Sequence, residues 1–451
     1  MAQPLVTTRI LRRLLKTGAH LRAEKLLERI HPADLGPILS DLTPSETRTV
    51  IDLLAKHRRA ATVLRELPPE MLPTILNAIT PERMAQVLSR LEIDDMLELV
   101  DAIPEDRRPD VLQHLPPTRR EELRHAELYP PRSAGRVMTT NFSALDEKMT
   151  AQEAIDSLRA AGIDRSESIL YLYVVDELRR LVGVVPIRRL VTAQPDTPVS
   201  ELAVQETLTT HPEADQEEVA QLVARYDLLA IPVTDVDGTM LGVITVDDVI
   251  DVITEEATQD IYNLAGLSEE DRIFTSASLS IRKRLPWMLV NLCTAFSAGA
   301  VIGLFEGTLE QLVSLAVFLP VVAGVGGNGG IQALTVITRA IALGEIEFSS
   351  GLRAVGKEAW VGLIVGATAG LISGGIAYTL HGNPYMALLL VLAMSVTTVI
   401  ASLVGAAVPL LLKAMRQDPA LGSGILVTFA ADALGFLTFL GIATLLMRQL
   451  I

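Results

Sequence analysis

Three hydrophobic patterns divide the chain. After Arg282-Lys283-Arg284 come five long apolar stretches, about Leu285 to Phe305, Gln311 to Thr338, Ala359 to Leu380, Tyr385 to Leu412 and Pro419 to Met447, which carry no Lys, Arg, Asp or Glu apart from Asp432. Each exceeds the roughly 20 residues that a helix needs to cross the hydrocarbon core, so the pattern predicts five membrane helices. In the third stretch Gly362, Gly366, Gly370 and Gly374 repeat every fourth residue, which predicts a face for close helix packing. In the second, Pro320, Gly324, Gly326, Gly327, Asn328, Gly329 and Gly330 are a poor interior for a helix. The expectation is an unwound stretch whose carbonyls are free to coordinate an ion, since such backbone is tolerated where it lines protein or water. A kinked packing helix is the alternative.

The first part of the chain repeats every twelve residues: Leu67, Ile79, Leu91, Ile103 and Leu115 mark the period, with Ile30 and Leu42 beginning earlier copies. A corner such as Thr43-Pro44, Pro68-Pro69, Thr80-Pro81, Pro104 or Pro116-Pro117 precedes an apolar pair such as Ile75-Leu76 or Val87-Leu88. Proline fits the first turn of a helix and disfavours helix just before it. The pattern therefore predicts a string of short helices stacked into a superhelical array, each burying a face on its neighbours. Before it, Ile10, Leu11, Leu14 and Leu15 interleave with Arg9, Arg12, Arg13 and Lys16, which reads as a folded amphipathic helix and not a signal peptide, because no continuous apolar region follows.

Between these regions one pattern occurs twice. Leu172-Tyr173-Val174-Val175-Asp176, Leu181-Val182-Gly183-Val184-Val185 and Leu190 correspond to Ile231-Pro232-Val233-Thr234-Asp235, Leu241-Gly242-Val243-Ile244 and Val249. Each copy reads as strand, turn, strand, helix, preceded by a capped helix at Thr150-Ala-Gln-Glu or Asp215-Gln-Glu-Glu.

Charge separates the same regions. Up to Arg284 there are 33 basic and 47 acidic residues, a net of −14; from Leu285 onward there are 6 and 7, a net of −1. An acidic soluble part argues for cations or basic surfaces as partners and against nucleic acid. Basic residues flank one side of the spans, at Arg282, Arg339, Arg353, Lys357, Lys413 and Arg416, with Arg448 as the exception. The positive-inside rule then puts the soluble part in the cytoplasm and the C-terminus outside, in a cell (inner) membrane. The single cysteine, Cys293, cannot form an intrachain disulfide, which fits a reducing compartment. Seven scattered His and one Cys give no nucleophile and base arrangement, so an enzyme is not expected.

Candidate chemistry lies in the carboxylates. An ionised Asp at bilayer depth costs roughly 2.5 to 3.5 kcal/mol on insertion scales, so Asp432 is expected to face an interior. Gly424, Thr428, Asp432 and Gly435 follow at three- and four-residue steps and share one helical stripe: small, polar and acidic, suited to a cation. Asp94, Asp95, Glu98 and Asp101 form a second cluster, and Asp247, Asp248, Asp251, Glu255, Glu256 and Asp260 a third, just before the membrane. Like charges one turn apart repel unless a cation or basic partner joins them. Solvated acidic helices are the alternative for both.

The tandem copies, with Ala134-Gly135-Arg136-Val137-Met138-Thr139 as lead-in, resemble a pair of cystathionine-β-synthase-type (CBS) domains. The resemblance implies a regulatory module that often binds adenine nucleotides such as ATP; Thr245 and Asp248 match its Thr-x-x-Asp ribose element, whereas the first copy has Pro186-Ile187-Arg188-Arg189. The order of parts, with Pro320 to Gln332 and Asp418-Pro419-Ala420 followed by Asp432, resembles the MgtE family of magnesium channels over essentially the whole chain. That implies a multidomain membrane protein: a superhelical α-helical N-domain (1–128), a tandem α/β CBS pair (129–200 and 201–253), a plug-like connecting helix (254–284) and a five-helix transmembrane pore domain (285–451). It also implies a homodimer in the lipid bilayer that conducts Mg2+ into the cytoplasm and closes when Mg2+ there is plentiful.

By the same resemblance Asp432 is the pore carboxylate and Asp418 a gating acid, with Gly327, Asn328, Thr428 and Gly435 beside the pore. The sensor acids match Asp94, Glu98, Asp215, Glu217, Asp227, Asp248, Asp251, Glu256 and Asp260, with Asp247 in the same connector cluster. Gln259 stands where the family can have an acid, and Thr62 is neutral where another can occur. Both departures imply weaker regulatory sites. Two other functions remain open on the residues alone: a proton-coupled divalent-cation carrier that uses Asp432 as a relay, and a nucleotide-sensing membrane receptor without transport.

Overall fold

The computed structural model describes residues 4–55, 59–65, 67, 72–161, 171–267, 271, 275, 277–346 and 348–450. They form two compact units, 1–253 and 254–451. The first opens with ten short helices: α1 (Pro4–Lys16), α2 (His20–Leu27), α3 (Pro32–Ser40), α4 (Pro44–Ala55), α5 (Arg59–Arg65), α6 (Leu72–Ala78), α7 (Pro81–Leu88), α8 (Ile93–Asp101), α9 (Arg108–Gln113) and α10 (Pro117–Ala126). Prolines open α3, α4, α7 and α10, where their missing N–H costs nothing. The corner at Pro68-Pro69 lies outside the described residues. At Thr43 a reciprocal cap forms: its backbone N donates to Glu46 Oε2 (3.0 Å), and Glu46 N donates to Thr43 Oγ1 (3.4 Å).

The twelve-residue period is visible in the packing. Leu67, Ile79, Leu91, Ile103 and Leu115 are all buried in one core. Short helices end often, and each end leaves carbonyls without partners. Arginines fill this need with the same period. Arg107 donates to the carbonyls of Leu76 (2.8 Å) and Ile79 (2.7 Å), and Arg119, twelve residues on, donates to that of Leu91. Arg108 reaches Asp101 O (3.2 Å), and Arg120 likewise reaches Gln113 O (2.8 Å).

The tandem copies follow. The first contains α11 (Ala134–Val137), β1 (Ala144–Asp146), α12 (Ala151–Ala161), β2 (Tyr171–Val175), β3 (Leu181–Pro186) and α13 (Ile187–Thr192). The second contains α14 (Val199–Leu202), α15 (Gln216–Arg225), β4 (Ala230–Thr234), β5 (Met240–Thr245) and α16 (Val246–Leu264), which runs on into the second unit. β1 pairs parallel with β2 (Ala144 opposite Tyr173), and β2 antiparallel with β3 (Leu172 opposite Val185). β4 pairs antiparallel with β5, Ile231 opposite Ile244. Both hairpins turn on an Asp: Asp176 Oδ1 accepts from Leu178 N and Arg180 N (2.9 Å each), and Asp235 Oδ1 from Asp237 N (3.0 Å) and Thr239 N (2.7 Å). The copies join where Leu181 N donates to Gly238 O and Met240 N to Arg179 O, both at 3.0 Å. Gly183 and Gly242 are required by close approach. A β-carbon at Gly183 would lie 2.7 Å from Val204 O, and one at Gly242 2.8 Å from Thr139 O.

The second unit contains the membrane helices: α17 (Ala277–Gly303), α18 (Glu306–Gln311), α19 (Leu319–Ala342), α20 (Phe348–His381), α21 (Pro384–Ala414), α22 (Ser423–Leu445) and α23 (Met447–Leu450), with a 3₁₀ turn at Val313–Val317. Among the described residues five helical segments are long and apolar enough to cross a membrane. The glycine stripe of α20 packs on α21 as its spacing predicts: β-carbons at Gly366 and Gly374 would meet the carbonyls of Met394 (2.7 Å) and Ala387 (2.8 Å).

The second span corrects the sequence-based expectation, because α19 is a continuous helix through Gly324–Gly330. Pro320 sits in its first turn, and neighbouring helices replace the side chains that the glycines lack. β-carbons at Gly326, Gly329 and Gly330 would lie 2.7, 2.9 and 2.7 Å from Thr397, Thr398 and Val427. Close packing offsets the helix-breaking tendency of about 1 kcal/mol per glycine. The backbone carbonyls of this stretch are therefore engaged in the helix.

Candidate functional site

In the first unit two acidic helices meet. Asp94 opens α8 and Asp248 opens α16. The Oδ1 atom of Asp94 is buried and has no hydrogen-bond partner. Its burial, with Asp248, Asp95 and Glu92 nearby, pushes its carboxyl up to about 8. Burial and the charges of Asp247 and Asp95 push Asp248 up to about 6, against hydrogen bonds from Thr245. A buried carboxylate with one oxygen unpartnered beside a second carboxylate is costly unless protonated or joined by a cation. Around this point the helical array holds the CBS pair through Glu92, which accepts from Thr139 and from Asn141 Nδ2 (3.2 Å), and through Arg136, 3.4 Å from Asp101. Asp101 also lies 3.8 Å from Arg108. The basic partners expected for one of the α8 acids are thus present.

The other sensor candidates are spread out. Asp215 caps α15, accepting from Glu217 N at 2.8 Å. Asp227 follows α15 exposed, with φ +52°. Glu98, Asp247 and Asp251 are exposed, and Glu256 is half-buried. Among the described residues no three His, Cys, Asp or Glu side chains are close enough together to hold a metal ion. Thr245 and Asp248, expected to hold a ribose, bond each other, Oγ1 to Oδ2 at 2.7 Å. A cleft lies between the CBS copies, lined by Asn141, Phe142, Tyr171, Tyr173, Leu229 and Ala230 among others. Phe142 meets Tyr173 edge to face, 6.0 Å between ring centres.

In the second unit the end of α16 is seated on the start of α22. Asn263 Nδ2 donates to Asp418 Oδ2 (2.7 Å), whose Oδ1 accepts from Ala420 N (2.7 Å). Burial, then Asp418 and Glu256, push the carboxyl of Asp260 up to about 6. A β-carbon at Gly424 would lie 2.5 Å from Leu264 O, so only glycine admits this approach. Beside this seat the ring of Trp287 lies against Gly422, 3.4 Å from where a β-carbon would stand. From Gly424 the stripe continues to Thr428, whose hydroxyl donates to Gly424 O (2.8 Å), and then to the half-buried Asp432. Gly327 is partly exposed with open space before it, and Asn328 is exposed. Gly435 is buried, and a β-carbon there would lie 2.9 Å from the methyl group of Thr397.

Family models match separate parts of the chain. A family model described as a divalent cation transporter, MgtE, matches residues 319–442; the MgtE intracellular N domain matches 30–132, and CBS domains match 134–196 and 199–255. The chain is 35% identical over 443 residues to the magnesium transporter MgtE of Thermus thermophilus, covering 97% of this chain and 98% of that one. The chain belongs to the MgtE family. The Bacillus subtilis MgtE is 34% identical over 322 residues, 71% of each chain. A solved cytosolic domain of the Mg2+ channel MgtE in complex with ATP is 36% identical and covers 54% of this chain and 99% of its own, with a TM-score of 0.52.

These relatives are named as MgtE transporters and not as enzymes, and with the five apolar helices they make this chain a multi-pass membrane protein. Of the two departures from the family pattern, Thr62 is exposed, whereas the Oε1 atom of Gln259 is buried without a hydrogen-bond partner. Sequence reasoning missed Glu92, Asn263 and Trp287. Only Arg136 had a signal, within the lead-in to the first CBS copy.

Proposed function

We propose that this chain is a Mg2+ channel that conducts into the cytoplasm and closes when Mg2+ there is plentiful. The observation that carries the reading is the seat of α16 on Gly424, two turns before Asp432 on the same face of α22. An element that carries acids thereby reaches the start of the stripe that carries the membrane carboxylate. Mg2+ keeps most of its coordinated water and needs only one or two carboxylates. Asp432, with Thr428, Gly327 and Asn328 beside it, suits the hydrated ion in a homodimer whose second copy supplies a second carboxylate. This follows the domain division proposed above, with the soluble domains cytoplasmic and the C-terminus outside.

Closure follows from charge. Mg2+ between Asp94 and Asp248 fastens the helical array to the second CBS repeat. Mg2+ at Asp260 and Asp418 fastens the end of α16 to α22. Glu98, Asp215, Glu217, Asp227, Asp247, Asp251 and Glu256 supply further carboxylates as domains close. When Mg2+ falls, the acids repel and the contacts loosen, provided that Mg2+ binds the closed state better than the open one. A second, smaller reading is that the aromatic cleft between the CBS copies takes ATP. It is favoured by Phe142 and Tyr173, and by the solved relative with ATP.

Liposomes containing the full chain and a Mg2+ indicator test the transport reading. Flux is expected down a Mg2+ gradient, unchanged when the proton gradient is collapsed, and at least about tenfold lower for Asp432→Asn, where a few kcal/mol of ion stabilisation is removed. Wild-type flux in Asp432→Asn would overturn the pore assignment, and dependence on the proton gradient would make the protein a carrier.

A further inference from the structure

We infer that Thr397, on α21, fixes the spacing between α19 and α22 and thereby tunes which hydrated divalent cation passes. This rests on the pore reading above. Thr397 is only 1% exposed. A β-carbon at Gly326 would lie 2.7 Å from its Cγ2, and one at Gly435 2.9 Å from the same methyl group. One methyl group thus occupies the space that two absent side chains leave on two different helices. Gly326 immediately precedes Gly327 and Asn328, and Gly435 is one turn beyond Asp432. The wedge therefore stands behind both halves of the candidate pore, and any change in its size is carried to both.

The hydroxyl of Thr397 indicates which atom does the positioning. Ser395 and Thr398 turn their hydroxyls back onto the carbonyls of Val391 (2.6 Å) and Met394 (2.8 Å), as such residues commonly do in helices. Thr397 does not: its Oγ1 is buried and has no hydrogen-bond partner. An unmade buried hydrogen bond is unfavourable, so the rotamer is set by the fit of the methyl group between the two glycines. Where passage depends on the width of the opening, a position that sets this width sets selectivity.

The test measures liposome flux of Mg2+ and of Mn2+ for the full chain and expresses selectivity as their ratio. Thr397→Val keeps the methyl wedge and should keep the wild-type ratio. Thr397→Ser removes the methyl group and should shift the ratio by about tenfold, the scale of one methylene at a fitted site. Adding Gly326→Ala to Thr397→Ser restores a carbon to the gap and should return the ratio toward wild type. A merely structural role lowers both fluxes together and leaves the ratio alone. An unchanged ratio in Thr397→Ser, or an equal shift in Thr397→Val, overturns the inference. Asp432→Asn run in parallel separates the two readings: if it carries ions like wild type the pore reading fails, and if it is inactive while Thr397→Ser keeps its ratio, only the role of Thr397 fails.

Discussion

At the scale of single residues, Asp94 is where the chemistry is most exposed to measurement. Its carboxyl is pushed from the usual 3.8 up to about 8 by burial and by Asp248, Asp95 and Glu92, so the docked state holds the proton more tightly than an undocked carboxyl would. Docking of α8 on the second CBS repeat without Mg2+ is therefore favoured in acid. It weakens as pH rises from about 4 to about 8, and changes no further through this group above that. Mg2+ must displace the proton. Binding near pH 7 should release about one proton per ion at this site, and apparent affinity should rise up to about tenfold per pH unit between roughly 6 and 8. Calorimetry of the full chain in buffers of different ionisation enthalpy reads this directly, with Asp94→Asn losing the proton release. Equal affinity at the two ends of that pH range would contradict it.

At the scale of elements, the repeat and the glycines teach different lessons about what a sequence reveals. The short helices were legible because proline corners and a period of twelve act locally. The buried positions that recur with this period, from Leu67 through Ile79 to Leu115, then follow from stacking. The arginines that close the helix ends were not legible, since Arg107 and Arg119 reach carbonyls 28 residues back. Arg107→Ala should leave the partly buried carbonyl of Ile79 without its donor, at roughly 1–3 kcal/mol, take one of two donors from that of Leu76, and lower the thermal midpoint of the soluble domains. Arg107→Lys should recover only part, because a single ammonium does not reproduce the fork. An unchanged midpoint in Arg107→Ala would show that water replaces the guanidinium fully. The glycine-rich second span misled for the opposite reason. Helix propensity is local, but Thr397, Thr398 and Val427 supply the packing from other helices, and nothing within residues 320–330 announces them.

At the scale of the whole molecule, one helix, α16, carries Asp248 at its start and Asp260 near its end, so the two regulatory ions of the proposed mechanism act on a single element. The legible part of this device was its charge; the seat at Gly424, and Asn263 on Asp418, required the fold. Gln259 now carries the remaining prediction. Its amide oxygen is buried without a hydrogen-bond partner beside Asp260, so it offers an oxygen without a charge at the place where α16 meets α22. Mg2+ affinity follows the charge count of its ligands, and closure should therefore require more cytoplasmic Mg2+ than with an acid at this position. Gln259→Glu should move the midpoint for closure to lower internal Mg2+ and leave the flux of the open state unchanged, because in that state the contact of α16 with α22 is loosened. Asp418→Asn should move it the opposite way, by removing a charge from the same place. Flux recorded at graded internal Mg2+ decides between these: if the midpoints of both variants coincide with that of the natural chain, α16 is not held by Mg2+ at this end and the gate lies elsewhere.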